Sequence, residues 1–171
     1  MGQIKPAYFI AKKDVANWPF FGWLTKLQKT VFIQREKTGL QDAGEKIKTH
    51  LNQRRSLVVF PEGTSGNGEN VLPFKSSLFH YLMHPDLKVN VTIQPVTIKI
   101  VAINGVTTLN QSDRDLYAWY GEMELPPHLW DFACAKGAVL KVIYHDPFHI
   151  GQSDNRKTLC QRAHDAVAGS F

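Results

Sequence analysis

Short apolar runs that stop abruptly are what most restrict the fold of this chain. Leu57-Val58-Val59-Phe60 is cut off by Pro61, Val31-Phe32-Ile33 gives way to Gln34-Arg35, and Tyr8-Phe9-Ile10-Ala11 runs into Lys12-Lys13. Runs of this length, rich in β-branched and aromatic residues, read as buried strands. Between the second and third runs the period changes. Leu40, Ala43, Ile47 and Leu51 recur at three- and four-residue steps along one helical face, with Thr38 placed to cap it. A Gly- and Asn-rich loop then covers Gly63 to Asn70, and a helix is expected from about Ser76 to Met83. Val91 to Val101 alternates and is β-branched but contains Pro95, which cannot donate to a ladder, so that strand must be interrupted, bulged or at an edge. Leu116 to Leu129 is an aromatic, proline-containing connection without a readable period. Val139 to Tyr144 reads as a last strand and Asn155 to Ala168 as a last helix. Strands alternating with helices predict an α/β fold with a mostly parallel or mixed central sheet flanked by helices. Without an internal repeat or low-complexity linker, residues 1–171 are expected to form a single domain.

An apolar content of 43% over 171 residues suits one hydrophobic core and argues against disorder. Cys134 and Cys160 are far apart and have no second pair, so they read as buried thiols rather than a disulfide framework or zinc knuckle. His50, His80, His84 and His128 show no metal-ligand spacing, and no metal is expected. No stretch approaches the roughly 20 apolar residues of a membrane-spanning helix, and Met1 to Pro6 do not read as a signal peptide. The net charge of +5 is unevenly placed: residues 1–60 hold 11 Lys/Arg against 4 Asp/Glu, and residues 61–171 hold 9 against 11. A basic half fits an anionic membrane surface, a phosphorylated substrate or simply a solvated face. Nucleic acid is disfavoured, because the cations are scattered and no reading helix or aromatic stacking sheet accompanies them.

The segment with most chemical content is Phe60-Pro61-Glu62-Gly63-Thr64-Ser65, at the end of a strand. Open α/β sheets bind ligands beyond the carboxyl ends of their strands. A carboxylate, a permissive glycine and a hydroxyl there can grip a polyol or phosphate. Spacing alone favours a turn with a capping threonine. Phe32-Ile33-Gln34-Arg35 ends in a planar cation suited to phosphate oxygens, and equally suited to pairing with Glu36 or Glu62.

Taken in order, these segments resemble the family of 1-acyl-glycerol-3-phosphate acyltransferases. Val31-Phe32-Ile33-Gln34-Arg35 is similar to the family's second block, Phe60-Pro61-Glu62-Gly63-Thr64 to its third and Ile93-Gln94-Pro95-Val96 to its fourth, and Leu72-Pro73-Phe74-Lys75 matches the pattern after the third. The resemblance runs out to Asp146-Pro147 and the final helix. It implies transfer of a fatty acyl group from acyl-CoA or acyl-acyl carrier protein to the free hydroxyl of lysophosphatidic acid, with no bound cofactor. It implies that Arg35, Glu62 and Gly63 help bind the glycerol phosphate, with Phe32 and Thr64 in the same substrate-binding set. Lys75 is placed to help hold the phosphate, and Pro95 would shape the wall of the acyl or acceptor channel. Many members carry an arginine after the threonine; Ser65 stands there instead, which opens a lyso-ornithine lipid or another lysolipid as the acceptor.

The family's first block is an asparagine–histidine pair with an aspartate five residues after the histidine. The histidine is the general base on the acceptor hydroxyl and the aspartate orients it. No such block precedes Val31, so the chain alone is expected not to transfer acyl groups, as a truncated or split gene product, a late start or a fragment would not. A non-catalytic remnant or lipid-binding module is the reading from another class. His149 and Asp154 have the same His-to-Asp spacing and are judged a decoy, because Phe148 precedes the histidine and the order relative to the other blocks is wrong. Asp14 to Lys29 crowds Trp18, Phe20, Phe21, Trp23 and Leu24 between lysines, which fits a membrane-facing segment or an ordinary core element. The resemblance implies a peripheral position at the cytoplasmic face of a membrane, the inner membrane of a bacterium.

Overall fold

The computed structural model describes residues 7–12, 31–33, 37–87 and 89–171; for 7, 11, 12, 31–33 and 37–43 it describes the backbone alone. The tryptophan-rich segment Asp14 to Lys29 and Arg35 lie outside these residues. The elements are of mixed α/β type and divide between two compact units. One contains the described residues up to Pro61 together with Ser77–Val91; the other contains Glu62–Ser76 with Thr92–Phe171.

In the first unit, β1 (Ala7–Lys12) lies between β2 (Val31–Ile33) and β3 (Ser56–Val58), and all pairing is parallel. β1 is shared along its length: Ala7, Tyr8 and Phe9 pair with Ser56, Leu57 and Val58, while Ile10, Ala11 and Lys12 pair with Val31, Phe32 and Ile33. Parallel strands need a long crossover, and α1 (Lys37–Asn52) supplies it between β2 and β3. Of the predicted helical stripe, Ile47 is buried and Leu51 half-buried, while the side chains of Leu40 and Ala43 lie outside the described residues. Thr38 falls inside the first turn rather than ahead of it. Lys48 of α1 donates to Glu45 at 2.7 Å and to Asp86 at 3.3 Å, and the Tyr81 ring lies against Gly44. The third strand is shorter than expected. Its ladder ends at Phe9↔Val58, so Val59 and Phe60 pair with no strand among the described residues and are 37% and 58% exposed rather than buried. The helix expected from Ser76 begins as α2 (Ser77–His80) and finishes as a 3-10 turn, Tyr81–Met83.

The second unit is antiparallel. β4 (Thr92–Ile93) pairs with β7 (Phe148–His149), and β5 (Val96–Ile103) pairs with β6 (Ala138–Tyr144). The interruption predicted at Pro95 is there, and the partner strand breaks opposite it. Two residues, Gln94 and Pro95, face three, His145 to Pro147, between the pairs Ile93↔Phe148 and Val96↔Tyr144. The Gln94 side-chain amide bridges the break, donating to the carbonyls of Pro95 and His145, and the His145 N–H donates to the Pro95 carbonyl at 3.1 Å.

Two short helices precede β6. α3 (Gln111–Asp115) is capped by Asn110 and Asp113 acting reciprocally, and α4 (Leu125–Cys134) places Pro126 and Pro127 in its first turn, where their missing N–H groups are not needed. Cys134 ends α4 and is exposed, against expectation, because the side chains around it from Leu129 onward face solvent; Cys160 is buried as expected.

The core of this unit lies between β5 and α5 (Arg156–Ala168), which buries Leu159, Cys160, Ala163 and Val167. The Thr97 hydroxyl, fully buried on β5, donates to the Val167 carbonyl at 3.2 Å and sits 2.7 Å from His145 Nε2, while Lys99 donates to the Ser170 carbonyl. These bonds tie the carboxyl-terminal end of α5 and the residues after it to β5. At the other end, Asn155 Oδ1 accepts from the Lys157 and Thr158 N–H groups at 2.8 and 3.1 Å. Asn155→Ala is expected to lower stability by about 1 kcal/mol, read as a drop in the thermal unfolding midpoint, with Asn155→Asp close to wild type.

Candidate functional site

Beyond β3 the chain enters the segment carrying Glu62, Gly63 and Thr64 and returns through Leu72 to Lys75, all within the second unit. The return is held by side-chain to main-chain bonding. The Leu72 N–H donates to Glu62 Oε2 at 2.8 Å, ten residues back along the chain. The Leu72 side chain packs on Gly66, 3.2 and 3.3 Å from where a Cβ would lie. At the tip, Asn67 Oδ1 accepts from the Glu69 N–H at 3.1 Å and Asn67 Nδ2 donates to Gln111 at 3.3 Å. Gln111 in turn donates to Asp115 at 2.6 Å and Tyr120 at 3.3 Å, and Tyr120 donates to Asp115 at 3.0 Å. That bond to Asp115 pushes the Tyr120 phenol above its ordinary pKa. The far end of the loop rests on α5. Cys160 donates to the Phe74 carbonyl at 3.5 Å and the Phe74 ring meets His164 edge-on at 5.1 Å. Burial raises the Cys160 pKa, which keeps the thiol protonated for that bond.

Gly63 is in the left-handed region, φ +70, and the stem of Lys75 runs across it: a Cβ at Gly63 would lie 3.3 to 3.9 Å from three carbons of the lysine chain. The Lys75 ammonium makes no hydrogen bond or ion pair among the described residues, and Thr64, next to Gly63 in sequence, is exposed. One segment therefore gathers a carboxylate, a hydroxyl and a lysine stem seated on glycine. Such a set can hold a small anionic or zwitterionic head group but offers no general base.

The other predicted site residues are placed separately. Phe32 lies in β2 opposite Ala11, and its side chain is outside the description, as is Arg35. Pro95 is buried at the strand break, its carbonyl taken by His145 and Gln94. His149 and Asp154 make different contacts: His149 Nδ1 is 3.2 Å from Thr92 Oγ1, whereas the Asp154 carboxylate accepts from the Gly151 N–H at 2.7 Å and from Thr158 at 3.3 Å. No hydrogen bond or ion pair joins the two among the described residues. Among those residues there is also no cluster of three or more His, Cys, Asp or Glu able to hold a metal, and no helix long and apolar enough to cross a membrane. The Leu72 N–H, partner of Glu62, is the participant that sequence reasoning missed. Its only sequence signal is the Leu72-Pro73-Phe74-Lys75 match, which points to the segment but not to a main-chain group.

The α/β elements, the blocks in their order and the glycine-seated lysine define an acyltransferase-type chain. The family model described as Acyltransferase matches residues 1–99, more than half the sequence, and the chain belongs to that family. It is 34% identical over 161 residues to a lyso-ornithine lipid O-acyltransferase of Rhodobacter capsulatus, covering 94% of this chain and 56% of that protein. It is 33% identical over 172 residues to a protein of the same name from Brucella abortus, covering 98% and 62%. A 1-acyl-sn-glycerol-3-phosphate acyltransferase of Neisseria gonorrhoeae is 25% identical over 168 residues, covering 98% and 62%, in keeping with the resemblance carried by the motifs. The chain thus spans little more than half the length of these relatives.

Proposed function

We propose that this chain is the acceptor-binding part of a lysolipid O-acyltransferase, taking a fatty acyl group from acyl-CoA or acyl-acyl carrier protein to the free hydroxyl of a lysolipid of the lyso-ornithine type. The observation that carries the reading is the loop in which Glu62 accepts the Leu72 N–H and the Lys75 stem lies across Gly63. An ornithine head group presents a carboxylate, which the Lys75 ammonium matches in sign. Ser65, where many members carry arginine, removes a cation that a doubly charged phosphate would favour. The names of the relatives at 33 and 34% identity support the same acceptor. Lysophosphatidic acid is the second reading, favoured by the Neisseria relative and by the motif resemblance.

Transfer requires the acceptor hydroxyl to lose its proton as it attacks the thioester carbonyl, with the donor thiol leaving. In this reading the Glu62–Lys75 loop presents Thr64 and Lys75 to the acceptor, and the family resemblance alone adds Phe32, Arg35 and Pro95 to the substrate-binding residues. His149 is left out of the chemistry in this reading, in keeping with its Nδ1 lying 3.2 Å from Thr92 Oγ1 and with Asp154 accepting from Gly151 and Thr158 instead. The aromatic and lysine-flanked segment Asp14 to Lys29 brings the protein to the membrane surface from the cytoplasmic side as a peripheral contact.

The test is a binding and turnover experiment on the 171-residue chain. Titration is expected to give roughly tenfold tighter binding of a lyso-ornithine lipid than of lysophosphatidate, with no acyl transfer from acyl-CoA above background. Tighter binding of lysophosphatidate would favour the second reading. Turnover that disappears in His149→Ala would make His149 the base after all.

A further inference from the structure

We propose that Glu62 is a positioning residue: by accepting the Leu72 N–H it closes the loop that seats Lys75 on Gly63, and Lys75 is the group that meets the anionic part of the acceptor. The inference rests on the acceptor-binding reading above. It assigns Glu62 a role different from direct contact with the acceptor.

Two adjacent residues make two adjacent closures. Glu62 bonds Leu72 at 2.8 Å, and Gly63 carries the stem of Lys75. From Leu72 onward the returning strand of the loop is held on its other side by α5, through the Cys160 thiol on the Phe74 carbonyl and the His164 ring against Phe74. With the clasp removed, the loop keeps its tip bond from Asn67 to Gln111 and its contacts with α5, but loses the bond that fixes the return at Leu72, three residues before Lys75. The partner of Glu62 is an uncharged main-chain N–H. An amide oxygen in the same place could accept that bond, whereas a carboxylate that contacted a cationic or hydroxyl group of the ligand could not be replaced so simply.

The experiment compares Glu62→Gln, Glu62→Ala, Lys75→Ala and the Glu62→Ala/Lys75→Ala double variant in the full chain. It reads amide hydrogen exchange at Leu72, and binding of lysophosphatidate and of a lyso-ornithine lipid below their micellar concentrations. Glu62→Gln is expected to keep slow Leu72 exchange and binding within about threefold of wild type. Glu62→Ala should speed Leu72 exchange at least roughly tenfold and weaken binding to about the level of Lys75→Ala. The double variant should bind no worse than Lys75→Ala, because a residue acting through another is not additive with it. Additive losses, or a Gln variant as weak as the Ala variant, would make Glu62 a direct ligand and overturn the proposal. Unchanged Leu72 exchange in Glu62→Ala would overturn it too. If the wild-type chain binds neither lysolipid, the acceptor reading fails, and the Leu72 exchange still decides whether the clasp exists.

Discussion

A Gly63→Val variant is expected to bind lysolipid about ten- to a hundredfold more weakly than wild type. Two effects act at that position. The backbone there has φ +70, a region that a β-branched residue enters only at a cost of about 1–3 kcal/mol. The new side chain would also start 3.3 Å from the nearest Lys75 carbon, closer than ordinary contact, so the lysine stem must shift on its seat. Each 1.4 kcal/mol or so of that strain, when relieved only by displacing Lys75, corresponds to roughly tenfold in affinity. Gly68 provides the control, since its φ is +74 and a Cβ there meets nothing within 4 Å. Gly68→Val carries the backbone strain without the lysine contact. It should lower the unfolding midpoint comparably while leaving affinity within about threefold. Equal losses of affinity at the two sites would show that the Lys75 contact is irrelevant to binding. Isothermal titration on both variants reads the difference directly.

The largest loss of stability is expected at Leu159. Its side chain is completely buried on the face of α5 that meets β5, alongside Ala163 and Val167. Truncation to alanine removes the transfer free energy of the isobutyl group and leaves a cavity that a helix anchored at both ends cannot easily collapse. α5 is fixed by the Asn155 cap at one end and by Thr97 and Lys99 at the other. Leu→Ala changes in such sites cost about 2–5 kcal/mol, here a fall of about 5–15 °C in midpoint. Leu159→Met nearly conserves volume and should recover most of it. A loss under about 1 kcal/mol for Leu159→Ala would mean that α5 does not form this core in solution.

Much of this arrangement is legible from local chemistry. The strand interruption at Pro95 follows from a missing N–H, and the α5 boundary from Asn155 with Thr158 three residues later. The helical stripe with Ile47 and Leu51 carried its own period. The misses come from what a single strand cannot reveal. Val59 and Phe60 have strand chemistry, but the β1–β3 ladder ends at Phe9↔Val58, beyond which β1 pairs with β2, and pairing is a property of two segments. β7 is two residues long, too short for a pattern. Reading the aromatic stretch after Leu116 as one connection overlooked that its prolines fit the first turn of α4, and the Asn110–Asp113 capping pair before it went unread. In the loop, Glu62, Gly63 and Lys75 were visible as a set because motif order identifies them. What they touch was not visible, because Glu62 meets a main-chain N–H that carries no residue identity.

The loop from Glu62 to Ser76 is spliced into the first unit: the chain leaves that unit at Pro61 and re-enters it at Ser77. Lys48 and Asp86 then join across this excursion. Closing a flexible excursion has an entropic penalty that rises only with the logarithm of its length, about 0.6 kcal/mol for each doubling. Residues 65–70 can therefore lengthen or shorten between related chains with little effect on how the first unit assembles. The Leu72–Glu62 bond sets the limit on that freedom, because it fixes where the lengthened segment must come back.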